Sequence, residues 1–206
     1  MERLEGGGEG QSWYRRTDPR GRALLMVLLP LAGVYLCQLV TLQDGAAAAR
    51  VAHTLGPIFD ERSRVLVLGT MPSPRSREVG FYYGHPQNRF WRVLERLYGQ
   101  PVPPDTAGRR SFVLRHGLAL WDVLAACDIV GSSDASIRHA VPNDVPALLA
   151  SGGIKRVFCN GQRAYALYLR YLDAACGLPV AALPSTSAAN AAWSLERLTE
   201  AWRVIL

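Results

Sequence analysis

The chain has 206 residues, 49% of them hydrophobic and 19% charged, enough apolar side chain for one well-filled core and too much for a disordered polymer. A net charge of +6 permits a polyanionic partner without demanding one. Cys37, Cys127, Cys159 and Cys176 lie far apart and the four histidines are scattered, a pattern of buried thiols in a reducing, cytoplasmic setting in which no disulfide, metal or other cofactor is expected.

The amino-terminal fifty residues differ in kind. Met1–Arg22 is rich in glycine and arginine and is expected to be disordered. Ala23–Leu42 carries no charge and follows Arg15, Arg16, Arg20 and Arg22. That pattern fits a membrane anchor with a cytoplasmic amino end, an extra helix packed on the domain, or a dispensable extension translated ahead of the true start. The last is preferred. Residues 1–50 are accordingly set apart from a domain spanning 51–206.

Within that domain, Val65–Leu68 is a short buried strand. It runs into Gly69 and a Met71-Pro72-Ser73-Pro74 turn, which the prolines keep from being helix or central strand. After a second turn, Tyr83-Gly84-His85-Pro86, a helix is expected over Asn88–Tyr98. Its apolar stripe is Phe90, Trp91, Leu94, Leu97 and Tyr98, and Gly99 stops it. Gln100–Gly108 is a loop, Ser111–His116 a short helix, and Gly117–Trp121 a second strand ending at Asp122. Gly131–Asn143 is polar and turn-rich, and Asp144–Ser151 is helical. Arg156–Cys159 is a third strand, stopped at Asn160-Gly161. A helix over Ala164–Ala175 follows, with Tyr165, Leu169 and Leu172 on one face. Pro179–Leu183 is the fourth strand, and Ser194–Ile205 the closing helix.

Strands alternating with helices predict an α/β domain: three layers, α/β/α, around a mostly parallel four-stranded sheet. All four strands end in polar or turn residues, Gly69-Thr70, Asp122, Asn160-Gly161 and Pro184-Ser185. In a parallel sheet these share one edge, where open α/β folds bind ligands. Three aromatics, a histidine, hydroxyls and amides gather there, suiting a flat, polar heterocycle.

The segments GTMPSPRSREVGFYYGHPQNRFW, LWDVL, GSSDASI, VFCNG and LPSTSAANA, in that order, resemble the uracil-DNA glycosylase superfamily, and most closely its hypoxanthine-DNA (deoxyinosine) glycosylase branch. The resemblance covers about Val51–Leu206. Gly69–Trp91 also runs without gaps along the first motif segment of the mismatch-specific uracil glycosylases. It implies a uracil-DNA glycosylase-like fold and a monomeric, metal-independent DNA repair enzyme. Such an enzyme acts on double-stranded DNA containing deaminated bases and is nucleoid-associated in the cytoplasm. Fast uracil enzymes place Asp or Asn in the first motif to position water, and His before Pro-Ser in the last motif; here those slots hold Met71 and Leu183.

The resemblance further implies roles for single residues. Asn88 is the catalytic candidate, set against a plain helix N-cap. Tyr83 would stack on the extruded base, with Phe81 and Tyr82 the competing core aromatics. Asp122 would read the base edge, or else cap a helix from Val123 onward. Asn160, Gly69 and Met71 complete the base-binding set, Asn160 being also an ordinary Asn-Gly turn. Pro184, Ser185, Thr186 and Ser187 would pinch phosphates, matched by Pro72 and Ser73, with Arg75 and Arg77 as nearby cations. His85 reads as a structural histidine of its loop. Rival readings are a uracil or mismatch glycosylase and a DNA-binding module without catalysis, which would keep Tyr83 and the Ser185 loop but not need Asn88.

Overall fold

The computed structural model describes residues 12–17, 23–31, 34–41, 48–130 and 133–206. The chain divides into two units, Met1–Ala47 and Ala48–Leu206. In the first, β1 (Ser12–Thr17), β2 (Ala23–Leu31) and β3 (Val34–Thr41) form an antiparallel sheet in that order. The single helix allowed for Ala23–Leu42 is thus corrected to two paired strands, with Leu31 opposite Val34. Pro30 would break a helix in mid-span, and Val27, Val34 and Val40 favour extended backbone. The disorder expected of Met1–Arg22 is corrected for Ser12–Thr17; the rest of that stretch lies outside the described residues. No helix among the described residues is long and apolar enough to cross a membrane.

The second unit opens with β4 (Ala49–Ala52), followed by β5 (Val65–Gly69), α1 (Pro74–Glu78), α2 (Phe90–Tyr98), α3 (Thr106–Arg115), β6 (Leu118–Asp122), β7 (Leu124–Ile129), β8 (Arg138–Pro142), α4 (Val145–Ala150), β9 (Arg156–Asn160), α5 (Gln162–Tyr171), α6 (Asp173–Cys176), β10 (Val180–Leu183) and α7 (Leu195–Trp202). The central sheet has the order β10-β9-β5-β6 and every neighbour is parallel. From β5 the chain crosses to β6 on one side, then returns to β9 on the other. The order therefore reverses between β5 and β9, where such folds open a ligand crevice.

Burial on both faces explains the unbroken apolar strands. Val65 and Val67 enter one core with Phe90, Leu94, Phe112 and Trp202, whereas Leu66 and Leu68 enter another with Leu124, Val145, Leu167 and Tyr168. Alternation along a strand sends neighbours to opposite faces. Helices α2, α3 and α7 cover the first face. The second is covered by α4 and α5 together with a small antiparallel sheet of order β4-β7-β8.

That second sheet is absent from the sequence reading. Leu124–Ile129, LAACDI, has a single β-branched residue and an acid, so it carries little strand signal. The helix considered from Val123 onward is strand instead. Two further corrections concern helices. The proline-rich turn is followed at once by α1, because Pro74 at its first turn loses only an N–H that has no helical partner, and the Ser73 hydroxyl accepts from the Ser76 N–H (3.2 Å). On α5 the buried face is Ala164, Leu167 and Tyr168 rather than Tyr165, Leu169 and Leu172, with Leu169 turned to solvent and Leu172 buried beyond the helix end.

Among the residues whose side chains are described, every buried residue of the two cores lies in 58–205. Deleting residues 1–47 is therefore expected to leave a folded domain whose melting temperature, read by circular dichroism, shifts by no more than about 4 °C, the scale of 1 kcal/mol for a domain of this size. Loss of a cooperative melt in 48–206 would show that the first unit completes the fold.

Candidate active site at the carboxyl edge of the sheet

Register places the candidate residues before any side chain is considered. Gly69 pairs with Asp122 across β5 and β6, and Asn160 pairs with Leu183 across β9 and β10. These four strand ends open into a cleft of about 1430 Å³, larger than the roughly 300–1,000 Å³ of a small-molecule pocket and suited to part of a polymer. All thirteen candidate residues line it: Gly69, Met71, Pro72, Ser73, Arg75, Tyr83, Asn88, Asp122, Asn160, Pro184, Ser185, Thr186 and Ser187.

Their hydrogen bonds give them unequal parts. Asn88 precedes the α2 cap, Arg89, and its side-chain carbonyl accepts from the Phe90 N–H (3.0 Å), closing an Asx turn. That backbone N–H can only donate, so it identifies the carbonyl end of the amide. The same Oδ1 accepts from the Thr186 hydroxyl (2.9 Å). Thr186 in turn accepts from Asn160 Nδ2 (2.9 Å), and its backbone N–H donates to Asn160 Oδ1 (2.9 Å). The network is closed at both ends by backbone N–H groups, and both Asn88 lone pairs are occupied. Asn88 lines the cleft, and its Nδ2 makes no side-chain hydrogen bond among the described residues.

Thr186, expected at a DNA-facing position, is fully buried and braces the two asparagines. Asn160 is held by Thr186 through both amide atoms, which engages one of its two N–H donors and one of its two carbonyl lone pairs. The Ser73 hydroxyl is engaged as the α1 cap, and Ser185 Oγ accepts from the Ser187 N–H (3.2 Å). Arg77 donates to the Pro72 carbonyl (2.7 Å) and Arg75 pairs with Glu78 (2.9 Å). His85 is exposed, and its Nδ1 accepts from the Gln87 N–H (3.2 Å) within its own loop.

Tyr82 is buried, its hydroxyl donating to the Gly56 carbonyl (2.9 Å), and Tyr83 is half-buried against the same core; both line the cleft. The Tyr83 ring stacks on Phe90 with centroids 3.8 Å apart. Its backbone holds φ at 53°, in the left-handed region that costs a non-glycine residue roughly 1–3 kcal/mol and recurs at functional sites. Burial and the neighbouring Asp122 push its phenol well above the ordinary range, so it remains neutral. Among the described residues its buried hydroxyl meets no partner in good hydrogen-bond geometry, although the Asn160 side chain lies close enough to oppose the rise.

Asp122 is 3% exposed, and burial raises its pKa while a hydrogen bond from His53 opposes the rise. Its Oδ1 lies 2.2 Å from where a Cβ would stand on Gly69, so only glycine fits there. Met71 and Leu183, both lining the cleft, contribute apolar wall.

Two residues that matter here went unnoticed in the sequence. His53, on the segment leaving β4, is one. The other is Arg89, whose guanidinium donates to the backbone carbonyls of Trp193, Ser187 (2.6 Å), Asn190 (3.0 Å) and Thr186 (3.4 Å). It forms no ion pair among the described residues; it curls the 186–193 loop around itself. Its place beside Asn88 in the H-P-x-N-R-F-W run was the available signal. Among the described residues no group of three or more His, Cys, Asp or Glu is placed to hold a metal ion.

Thr186→Val keeps the shape and removes the hydroxyl, leaving Asn160 Nδ2 without its acceptor and Asn88 Oδ1 with a single donor. Urea denaturation should show a loss of about 1–3 kcal/mol, the cost of buried polar groups left unsatisfied; unchanged stability would mean that the hydroxyl bridge contributes nothing.

Comparison with known proteins agrees with this architecture. The family model of the uracil DNA glycosylase superfamily matches residues 57–206. A hypoxanthine DNA glycosylase of Methanosarcina acetivorans is 33% identical over 152 residues, covering 72% of this chain and 93% of that protein. Another, from Methanosarcina barkeri, is 33% identical over 138 residues, covering 65% and 85% respectively. The solution NMR structure of a candidate uracil DNA glycosylase from M. acetivorans superimposes with a TM-score of 0.64 at 29% identity, over 73% of this chain and 93% of that one. A match across the whole parallel sheet and its ligand edge leaves one assignment: the chain belongs to the uracil DNA glycosylase superfamily.

Proposed function

We propose that this protein hydrolyses the N-glycosidic bond of deoxyinosine in double-stranded DNA, acting as a monomer without a metal ion. The C1′–N9 bond breaks with its electron pair passing to hypoxanthine, water adds to C1′, and its proton balances the charge of the departing base. The products are an abasic site and free hypoxanthine. The nucleotide must first leave the duplex, at a cost of a few kcal/mol that is least where the pair is weak. Stacking on the cleft-lining ring of Tyr83 returns roughly 1–3 kcal/mol.

The observation that carries the reading is the uncommitted amide donor of Asn88, a residue lining a cleft whose other two catalytic slots are the apolar Met71 and Leu183. A donor stabilises charge developing on the base or holds the water oxygen, and needs no second ionisable group. Two relatives named hypoxanthine DNA glycosylases, each 33% identical, support the choice of base.

End-labelled duplexes containing inosine or uracil, incubated with the protein and then cleaved at abasic sites with alkali, test it. Inosine is expected to be released faster, with no effect of chelator. Uracil released tenfold faster than inosine, about 1.4 kcal/mol in the barrier, would assign the protein to uracil instead.

Asn88→Asp isolates the donor. The carboxylate keeps both accepted bonds, from Phe90 and Thr186, and caps as well as asparagine, but loses the N–H and adds negative charge beside the base. Single-turnover excision should fall by roughly 10²–10³, the usual cost of one positioned donor, with the melting temperature little changed. Excision at the wild-type rate would remove Asn88 from the mechanism.

A further inference from the structure

His53 lies outside every motif in the sequence, yet its side chain is 3% exposed and its Nε2 sits 2.8 Å from Asp122 Oδ2. The other ring nitrogen decides where the proton is. The Leu55 backbone N–H points at Nδ1 (3.2 Å) and can only donate, so Nδ1 holds a lone pair and the ring proton is on Nε2. Oδ2 of Asp122 therefore accepts and carries no proton of its own. What Asp122 can turn toward the cleft is Oδ1, which touches Gly69 and has no hydrogen-bond partner among the described residues.

We infer that His53 is a positioning residue that fixes Asp122 as a hydrogen-bond acceptor toward the extruded base, and thereby selects rings bearing an N–H over rings bearing a lone pair at that position. The inference rests on the proposed function and adds the basis of its selectivity. Deamination of adenine replaces the bare N1 lone pair with N1–H beside a new carbonyl, and deamination of cytosine makes the same exchange at N3. A carboxylate oxygen attracts the N–H and repels the lone pair. Burial raises the Asp122 pKa and the His53 hydrogen bond opposes the rise, so losing His53 shifts the balance toward the neutral acid. Its proton would then sit on the cleft oxygen and welcome the undamaged ring. The Tyr82 and Tyr83 phenols, the titratable groups packed nearest, are held neutral by burial.

Single-turnover excision by the full chain, from duplexes containing deoxyinosine or purine 2′-deoxyriboside (which lacks N1–H), reads this directly. Wild type should prefer inosine. His53→Leu should lower that preference roughly tenfold or more, the worth of one buried hydrogen bond to a charged group. His53→Gln, which still donates an N–H to Oδ2, should restore it. A merely structural role would slow both substrates together and leave the ratio intact. Should the leucine variant fail to fold, Asp122→Asn gives the same reading: the His53 N–H demands the amide oxygen, so the NH₂ turns to the cleft and the preference falls. An unchanged ratio in a folded His53→Leu or Asp122→Asn protein overturns the inference while leaving the proposed function standing. Wild-type protein that releases neither base removes both.

Discussion

The Thr186 hydroxyl holds the side chains of Asn88 and Asn160 together, and its geometry leaves the two amides one consistent orientation. Two backbone N–H groups, of Phe90 and Thr186, each require an oxygen opposite them. Once those oxygens are placed, Thr186 must accept from Asn160 and donate to Asn88. The uncommitted donor of Asn88 is thus a consequence of bonds made by the other end of its amide. An amide free to rotate would present oxygen and nitrogen by turns and pay rotamer entropy at every reaction cycle; here the orientation is set before any substrate arrives, which is where electrostatic catalysis obtains its advantage.

Arg89 extends the same logic to charge. Its guanidinium gathers carbonyls of Thr186, Ser187, Asn190 and Trp193, and carbonyls directed at an arginine are not directed at a phosphate. A loop that must lie near a polyanion is helped twice, by removal of its acceptors and by retention of a positive charge with no carboxylate partner among the described residues. Lysine would not substitute, since a single ammonium cannot span four carbonyls in a planar fork.

Much of the fold was legible because its signals are local. The four central strands are short apolar runs closed by glycine or polar residues, and the structure finds each within a residue or two of the expected bounds. Parallel pairing then placed Gly69, Asp122, Asn160 and Leu183 along one edge. The antiparallel sheet was not legible, because LAACDI takes its conformation in part from β4, distant in sequence, and RHAVP pairs with it through an irregular, shifted register. The site divided on the same line. Motif spacing located its residues, but Thr186 as a brace, Arg89 as a loop anchor and His53 as the partner of Asp122 depend on hydrogen bonds across 26 to 104 positions. Such pairings leave no periodicity, and Gly69 explains itself only once Asp122 Oδ1 is seen against it.

On the proposed reading, the cleft sets two opposed demands on the same base. Asp122 as an acceptor recognises a ring N–H, yet a carboxylate beside a leaving base opposes the negative charge that builds there as the bond breaks. Coulomb repulsion between like unit charges about 4 Å apart amounts to about 4 kcal/mol near a protein surface, so recognition by this group slows departure unless a donor acts elsewhere on the ring. Asn88 supplies that donor, from the loop that leads into α2. Met71 and Leu183, for their part, leave the two polar contacts as the principal terms by displacing water that would otherwise screen both. An apolar wall with one acceptor and one donor is a slower catalyst than a site with its own ionisable water-activating group. It is also a more discriminating one, because each base that enters is judged by an unscreened carboxylate before its bond can break.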